Sequence, residues 1–245
     1  MAATKTEKII NDLKPEILKV VTEHLTAIAN ETHDVAIAWK KMQDDTANVV
    51  MTLLGKHLPT SKITSPKSKS VYPDIKIINE EGTFAIDIKV NEDSKNPWFD
   101  MARLDTMLES RIAKYVEEWE LVIQFRNTDG KFIKAYFNLF REVVGNHKFS
   151  GGIKYRPYDG KVRPKTWSEF DKDVIYWDTK EKFLDGVEKS IKYRWKSNIS
   201  KHLVAKLSAE EKEEFKKLFD TPLDIPEESD EDENGDVNPD LFNQK

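Results

Sequence analysis

Apolar residues recur at helical spacing over the first part of the chain. Between Thr4 and Asn30 they fall at every third or fourth position, which predicts amphipathic helix. Pro15 predicts that a second helix opens near it, because proline is tolerated in the first turn of a helix but disrupts its interior. A further helical pattern runs from Asp34 to His57. The chain is therefore expected to begin with helices.

The pattern then changes to strict alternation, which predicts a β-hairpin. Residues Asp74–Ile78 alternate, Asn79–Gly82 have turn chemistry, and Phe84–Val90 alternate again. Side chains of a strand point to opposite faces with period two, so the large apolar residues of the second strand share a core face. Asp87 and Lys89 lie together on the other face.

The rest of the chain mixes helical and strand patterns. A helix is predicted over Trp98–Trp119, followed by strands over Glu120–Phe125 and Lys131–Phe137. A strand is predicted over Val174–Trp177, and a capping box that begins at Asp178 opens a long helix. These elements predict an α/β fold in which helices flank a central mixed five-stranded sheet.

Composition narrows the class of protein. With 245 residues, 38% of them hydrophobic, the chain can bury the core of one domain, which we place at residues 1–220. It has no cysteine and no apolar run approaching the ~20 residues of a membrane span, so a cytoplasmic protein without a membrane segment is expected. Glycine-rich phosphate loops are missing, and the five histidines lack metal or triad spacing. A nucleotide cofactor is therefore not expected.

The formal net charge of −5 conceals a segregation of charge along the chain. Residues 221–245 hold nine acids and one base, and this segment is expected to be a disordered acidic tail. Residues 131–206 hold 18 bases and nine acids. A basic second half of this kind is the pattern expected of a protein that binds the phosphate backbone of a nucleic acid.

The predicted hairpin also carries candidate chemistry. Asp74 lies thirteen residues before Asp87, on the neighbouring strand. Two carboxylates that converge at strand ends can hold a hard cation, and Mg²⁺ usually takes only one or two from the protein. Lys89 beside them can position a water and offset the charge of a phosphate. The alternative is that Asp87 and Lys89 form the solvated outer face of an edge strand, with Asp74 merely following a proline turn.

The same residues resemble a known family. Pro73-Asp74, followed after twelve residues by Asp87-Ile88-Lys89, is similar to the signature of the PD-(D/E)xK nucleases, and the flanking residues are most similar to EcoRV-like type II restriction endonucleases. The resemblance implies a restriction-endonuclease-like fold and a Mg²⁺ cofactor held by Asp74, Asp87 and Ile88. It also implies that Asp74, Asp87 and Lys89 carry out catalysis.

The resemblance implies contributions from two neighbouring segments as well. In this family the helix before the first motif strand often supplies another carboxylate, for which Asp45 is the candidate. A loop is predicted over residues 58–70 from its proline, serine and lysine content. In this family the loop that enters the strand approaches DNA, so Lys67 and Lys69 are candidate DNA contacts.

A third candidate DNA-binding segment, the basic loop, covers residues 152–173 and combines glycine, proline, basic and aromatic residues. Its candidate DNA contacts are Arg156, Lys161, Arg163 and Lys165. Loops longer than ~12–15 residues in compact domains are more often functional or disordered, and the aromatic content argues against disorder. An ordinary surface loop is the alternative.

Together these features predict a site-specific endonuclease of double-stranded DNA, a type II restriction enzyme. A palindromic target would imply a homodimer, because a two-fold dimer presents the same surface to both half-sites. Two other hypotheses remain open. One is a PD-(D/E)xK nuclease of DNA repair, recombination or a mobile element, and the other is a DNA-binding module without catalysis.

Overall fold

The computed structural model describes residues 3–31, 35–66, 71–93, 96–147 and 151–203, together with residues 208 and 210. The chain divides into two compact units, Met1–Lys192 and Tyr193–Lys245. The sheet and the candidate site belong to the first unit. The predicted acidic tail, residues 221–245, lies outside the described residues.

A five-stranded sheet forms the centre of the first unit. Its strands are β1 (Lys62–Thr64), β2 (Ile75–Asn79), β3 (Gly82–Glu92), β4 (Glu118–Phe125) and β5 (Phe132–Leu139). They lie side by side in the order β1-β2-β3-β4-β5. The pair β3 and β4 is parallel, and the other three pairs are antiparallel. The predicted fold class, α/β with a central mixed five-stranded sheet flanked by helices, is confirmed.

Helices and a small second sheet surround this centre. The helices are α1 (Lys5–Asp12), α2 (Lys14–Glu31), α3 (Val35–His57), α4 (Phe140–Val143), α5 (Trp167–Asp171) and α6 (Lys180–Leu203). The second sheet pairs β6 (Asn146–His147) with β7 (Gly152–Ile153). As predicted from Pro15, one helix ends and another begins there, with proline as the second residue of α2. Within the described residues no helix is long and apolar enough to cross a membrane.

The main core lies between α1–α3 and one face of the sheet. Helix α2 packs against β5, and α3 packs against β3 and β1. On β3 the predicted core face holds, since Phe84, Ile86 and Ile88 are at most 1% exposed and belong to this core. Burial of side chains of this size stabilises the fold by ~1.5–3 kcal/mol each. Because side chains alternate, the same burial turns Asp87 and Lys89 to the opposite face.

The predicted helix over Trp98–Trp119 is wrong. Its only regular turns before β4 are a 3₁₀ turn at Leu104–Thr106 and a π-helical turn at Leu108–Ile112. Main-chain groups that a helix would use are bonded elsewhere; the Met101 N–H, for example, donates to the Val162 carbonyl at 3.2 Å. Long-range pairing therefore overrides the helical periodicity of the side chains.

Two smaller predictions also fail. Strand β1 forms within the stretch 58–70 that was predicted to be a loop, where its three residues pair with β2. No strand forms over Val174–Trp177, because the Val174 N–H bonds the Glu169 carbonyl at 2.9 Å and closes a turn after α5. The basic loop, in contrast, is ordered, and an isolated antiparallel bridge joins Tyr155 to Val162.

Candidate active site

The hairpin of β2 and β3 brings Asp74 and Asp87 together. Strand β2 begins at Ile75, whose partner on β3 is Ile86, so Asp74 lies beside the next residues of β3. There the Asp74 Oδ2 accepts the Ile88 N–H at 2.7 Å. The carboxylate thus occupies the place that a main-chain acceptor of β2 would have taken if the strand had continued. Asp74, just before β2, and Asp87, on the central strand β3, therefore lie close together at the start of β2.

Burial decides between the two interpretations of this face of β3. Asp87 is only 4% exposed, and β3 has neighbouring strands on both sides. A solvated edge strand is therefore excluded. Lys89 Nζ lies 2.7 Å from Asp87 Oδ2, so the two side chains form an ion pair. The angles between the two groups are not those of a hydrogen bond.

The protonation of Asp74 reflects this crowding. Burial and, after it, the nearby Asp87 charge together raise the pKa of Asp74 to about 6, although the hydrogen bond from the Ile88 N–H lowers it. The pKa of Lys89 is raised as well. Burial lowers the pKa of Lys89, but the negative charges of Asp87 and Glu120 outweigh burial, so the pKa is raised. Lys89 therefore remains an ammonium at neutral pH.

A third acid, Glu120, was missed by the sequence analysis. It is the register partner of Asp87 on β4 and is completely buried. Its Oε1 accepts a hydrogen bond from Arg111 Nη2 at 3.1 Å, whereas Oε2 has no partner among the described residues. Burial, followed by the Asp87 charge, raises the pKa of Glu120 to about 8. Acids at alternate positions of an otherwise apolar strand, Glu118 and Glu120, were the available signal.

Arg111 holds these strand acids in place. Its Nε donates to Glu118 Oε2 at 2.8 Å, and another of its N–H groups donates to the Met101 carbonyl. The guanidinium lies 3.8 Å from the ring centroid of Tyr72 and 4.0 Å from that of Phe140. Since a buried cation costs several kcal/mol unless it is paired, Arg111 and the two glutamates depend on one another for stability.

On the helix before the motif, Gln43 rather than Asp45 touches the site. Gln43 Nε2 donates to the Ile88 carbonyl at 3.3 Å. Helix positions two apart do not face the same way, so Asp45 points to another side of α3, where it is half-buried. Among the described residues Asp45 makes no hydrogen bond or ion pair with the cluster.

The oxygen donors present suit a hard cation. They are the carboxylates of Asp74 and Asp87 and the main-chain oxygen of Ile88, whose apolar side chain can offer nothing else. Within the described part of the chain, no group of three or more acidic, histidine or cysteine side chains is placed to hold a metal ion. Mg²⁺ usually takes only one or two carboxylates from a protein, so these residues fit this ion.

The predicted DNA contacts of the basic loop are largely paired with acids of the protein itself. Arg163 is 3% exposed and lies 2.6 Å from Asp100, which also pairs with Lys161. Arg156 Nε donates to Asp159 Oδ1 at 2.9 Å. Much of the positive charge of these residues is therefore neutralised by Asp159 within the loop and by Asp100 outside it.

Lys165 has the environment of a structural residue. It is completely buried, and its Nζ donates to the Val174 carbonyl at 2.7 Å. Burial lowers its pKa. A phosphate could reach this ammonium only if the loop rearranged, so Lys165 supports the loop rather than presenting a charge to DNA. Lys67 and Lys69 lie outside the described residues, and their contact with DNA stays a prediction.

No protein-family model matches the chain, and no curated protein matches it by sequence. Among solved structures the chain is similar to the NlaIV restriction endonuclease, with 16% sequence identity over 75% of this chain and 78% of that one, at a TM-score of 0.39. The mixed five-stranded sheet is consistent with a restriction-endonuclease-like fold. A likeness this distant carries no argument about activity, so the function has to be inferred from the geometry of the site.

Proposed function

We propose that the protein hydrolyses the phosphodiester bonds of double-stranded DNA with Mg²⁺, as a site-specific type II restriction endonuclease. The observation that carries this proposal is the convergence of two carboxylates and an ammonium at one end of the β2–β3 hairpin. A palindromic target would be engaged by two copies related by a two-fold axis, so we also propose a homodimer.

Each residue of the site has a defined part in such a reaction. Asp74, Asp87 and the main-chain oxygen of Ile88 would hold Mg²⁺, which when bound polarises a phosphate oxygen and lowers the pKa of a water. Lys89, protonated at neutral pH, can donate hydrogen bonds to the attacking water or to the phosphate. Its ion pair with Asp87 fixes the position of the ammonium. Gln43 orients the Ile88 carbonyl through its amide.

The metal-free protein carries an unfavourable charge arrangement that suits cation binding. Burial, together with the repulsion between Asp74 and Asp87, raises the pKa of Asp74 to about 6. A divalent cation between two carboxylates favours their ionised forms. Affinity for the cation should therefore decrease as pH falls through about 6, because protons then compete for Asp74.

Plasmid digestion in Mg²⁺ tests the proposal. The wild type should convert plasmid DNA to a defined set of fragments, whereas Asp87→Ala and Lys89→Ala should not cut. Lys134→Ala is a matched control, because Lys134 is an exposed lysine that pairs with Asp171 on the surface. It should cut like the wild type. Structure-dependent nicking would favour a repair nuclease, and salt-sensitive binding without cutting would favour a binding module.

Metal titration separates the two site variants. Calorimetric titration of Mg²⁺ or Ca²⁺ into the DNA-bound protein should show binding by Lys89→Ala and little or none by Asp87→Ala, because only the aspartate is a proposed ligand. Cutting by Asp87→Ala at a rate near that of the wild type would show that this hairpin is not the catalytic site.

A further inference from the structure

Two aromatic side chains that contact arginines of the basic loop point into solvent. Trp98 is 61% exposed and Tyr158 is 77% exposed, whereas most aromatic residues of the described chain are buried or half-buried. Leaving an indole ring in water costs the favourable free energy of burying it, so an exposed pair invites a functional explanation.

Guanidinium groups fix both rings in place. The Arg163 guanidinium lies 4.0 Å from the Trp98 ring centroid, and the Arg156 guanidinium lies 4.5 Å from that of Tyr158 and 6.0 Å from that of Trp98. Asp100 anchors Arg163 by its ion pair at 2.6 Å. Each ring therefore packs against a guanidinium group. Hydrogen bonds or ion pairs with acidic side chains hold each guanidinium group in turn.

Trp98 is also tied to the strand that carries the site. The Trp98 N–H donates to Asn91 Oδ1 at 3.2 Å. Asn91 lies two residues beyond Lys89 on β3, a distance of ~6.6 Å along a strand. Successive nucleotides of one DNA strand are separated by ~3.4 Å along the helix axis. Trp98 thus lies within a few nucleotide steps of a phosphate bound at Lys89.

Charge indicates what covers the rings. Because Asp100 and Asp159 neutralise most of the local positive charge, phosphates are weakly attracted here, and a flat uncharged group suits the rings better. Nε and Nη2 of Arg163 have no acceptor among the described residues, but both atoms are buried, so this guanidinium supports Trp98 and offers no donor to a ligand. Nucleobases have the flat, uncharged face that stacks on aromatic rings.

We infer that Trp98 and Tyr158 form a stacking platform for an unstacked nucleobase of the DNA, beside the phosphate that is cut. This inference rests on the proposed nuclease function and deepens it. It assigns Trp98 and Tyr158 to base contact and leaves the chemistry to the hairpin. Removal of a stacking aromatic weakens binding of one base by roughly 5- to 150-fold.

Binding of two single-stranded probes tests the platform in the full chain, with Ca²⁺ replacing Mg²⁺. One probe is a 30-nucleotide DNA strand of mixed sequence, and the other is a strand of the same length in which every nucleotide is abasic. Trp98→Ala should weaken the first by roughly 5- to 150-fold and leave the second unchanged. The dependence of affinity on salt should not change, because stacking releases no counterions. Trp98→Phe should keep most of the affinity.

Trp195→Ala is the matched control, since Trp195 is 64% exposed and carries no proposed role. Equal affinities of the Trp98→Ala and Trp195→Ala proteins for the mixed strand would overturn the inference. Equal weakening on both probes would overturn it too, because the contact would then be to the backbone. Plasmid cleavage by the wild type is measured separately. If the wild type cuts and Trp98→Ala binds normally, only the platform fails; if the wild type cuts nothing, the nuclease proposal fails.

Discussion

Replacing Asp74 with asparagine tests the electrostatics of the candidate site without relying on activity. The amide keeps an oxygen that can accept the Ile88 N–H, which Asp74 accepts at 2.7 Å. It removes the negative charge that faces Asp87. In the metal-free protein this charge is unfavourable, and the variant should therefore be more stable than the wild type at neutral pH.

The size and the sign of the effect depend on the pKa of Asp74, which rises from 3.8 to about 6 on folding. That difference corresponds to about 3 kcal/mol, and the partial exposure of Asp74 reduces it to about 1–2 kcal/mol. Below about pH 4 the carboxyl is protonated in both the folded and the unfolded protein, so it costs nothing. Between pH 4 and 6 the unfolded chain releases its proton first, and the stability of the wild type falls. Above pH 6 the whole cost is present.

Urea unfolding followed by tryptophan fluorescence, at a series of pH values from 4 to 8 with EDTA, measures this difference. The stability gained by Asp74→Asn should grow between pH 4 and 6 and then stay constant. Adding 10 mM Mg²⁺ should stabilise the wild type, by about 1.4 kcal/mol for a dissociation constant of about 1 mM, and should have little effect on the variant.

The matched control is Asp45→Asn, which removes the same charge from α3 outside the cluster. It should show neither the pH-dependent gain nor the lost response to Mg²⁺. A gain from Asp74→Asn that is equal at all pH values, or a variant less stable than the wild type above pH 6, would refute the explanation that a buried charge on Asp74 beside Asp87 destabilises the metal-free fold.

Three further predictions concern other parts of the site. Gln43→Ala should slow single-turnover cleavage by roughly 2- to 13-fold, the value of one net hydrogen bond. Asp45→Ala should cut at a rate within about twofold of the wild type. If Asp45→Ala is instead the slower variant, Asp45 and not Gln43 is the residue of α3 that contributes to cleavage. Lys165→Ala should lower the free energy of unfolding by about 1–3 kcal/mol, because a buried carbonyl loses its donor, and it should leave the salt dependence of DNA binding unchanged. Asp100→Asn should leave the positive charge of Arg163 and its neighbours without its acidic partner. The slope of log affinity for DNA against log salt concentration should therefore become steeper by about 0.9. An unaltered slope would show that the basic loop does not face DNA.

The sequence was most informative where structure is local. Alternation and a turn predicted the β2–β3 hairpin, and the close approach of Asp74 to Asp87 is expected because residues that flank a hairpin must face one another. The core face of β3 and the break between α1 and α2 at Pro15 were predicted for the same reason. In each case the interactions that settle the structure lie within about twenty residues.

The misses that matter most for the site involve long-range contacts. The segment 98–117 has helical periodicity, but its main chain bonds the basic loop some sixty residues later, and this pairing prevents the helix. The basic loop was visible as a run of positive charge, yet its ion pairs with Asp100 require the fold. Arg111 and Glu120 could be seen only as isolated charges among apolar residues, because the parallel pairing of β3 with β4 is what brings Glu120 beside Asp87.

The peptide groups on either side of Ile88 have a consequence for spectroscopy. Side chains rather than a neighbouring strand bond this residue's main chain, since Asp74 accepts its N–H and Gln43 donates to its carbonyl. Exchange of the Ile88 amide hydrogen with deuterated solvent therefore depends on one carboxylate, whereas amides that pair β3 with β4 exchange only when the sheet opens. In nuclear magnetic resonance spectra this single amide would act as an internal reporter. Compared with the amides that pair β3 with β4, its protection should change when Asp74 is protonated and when a cation is added.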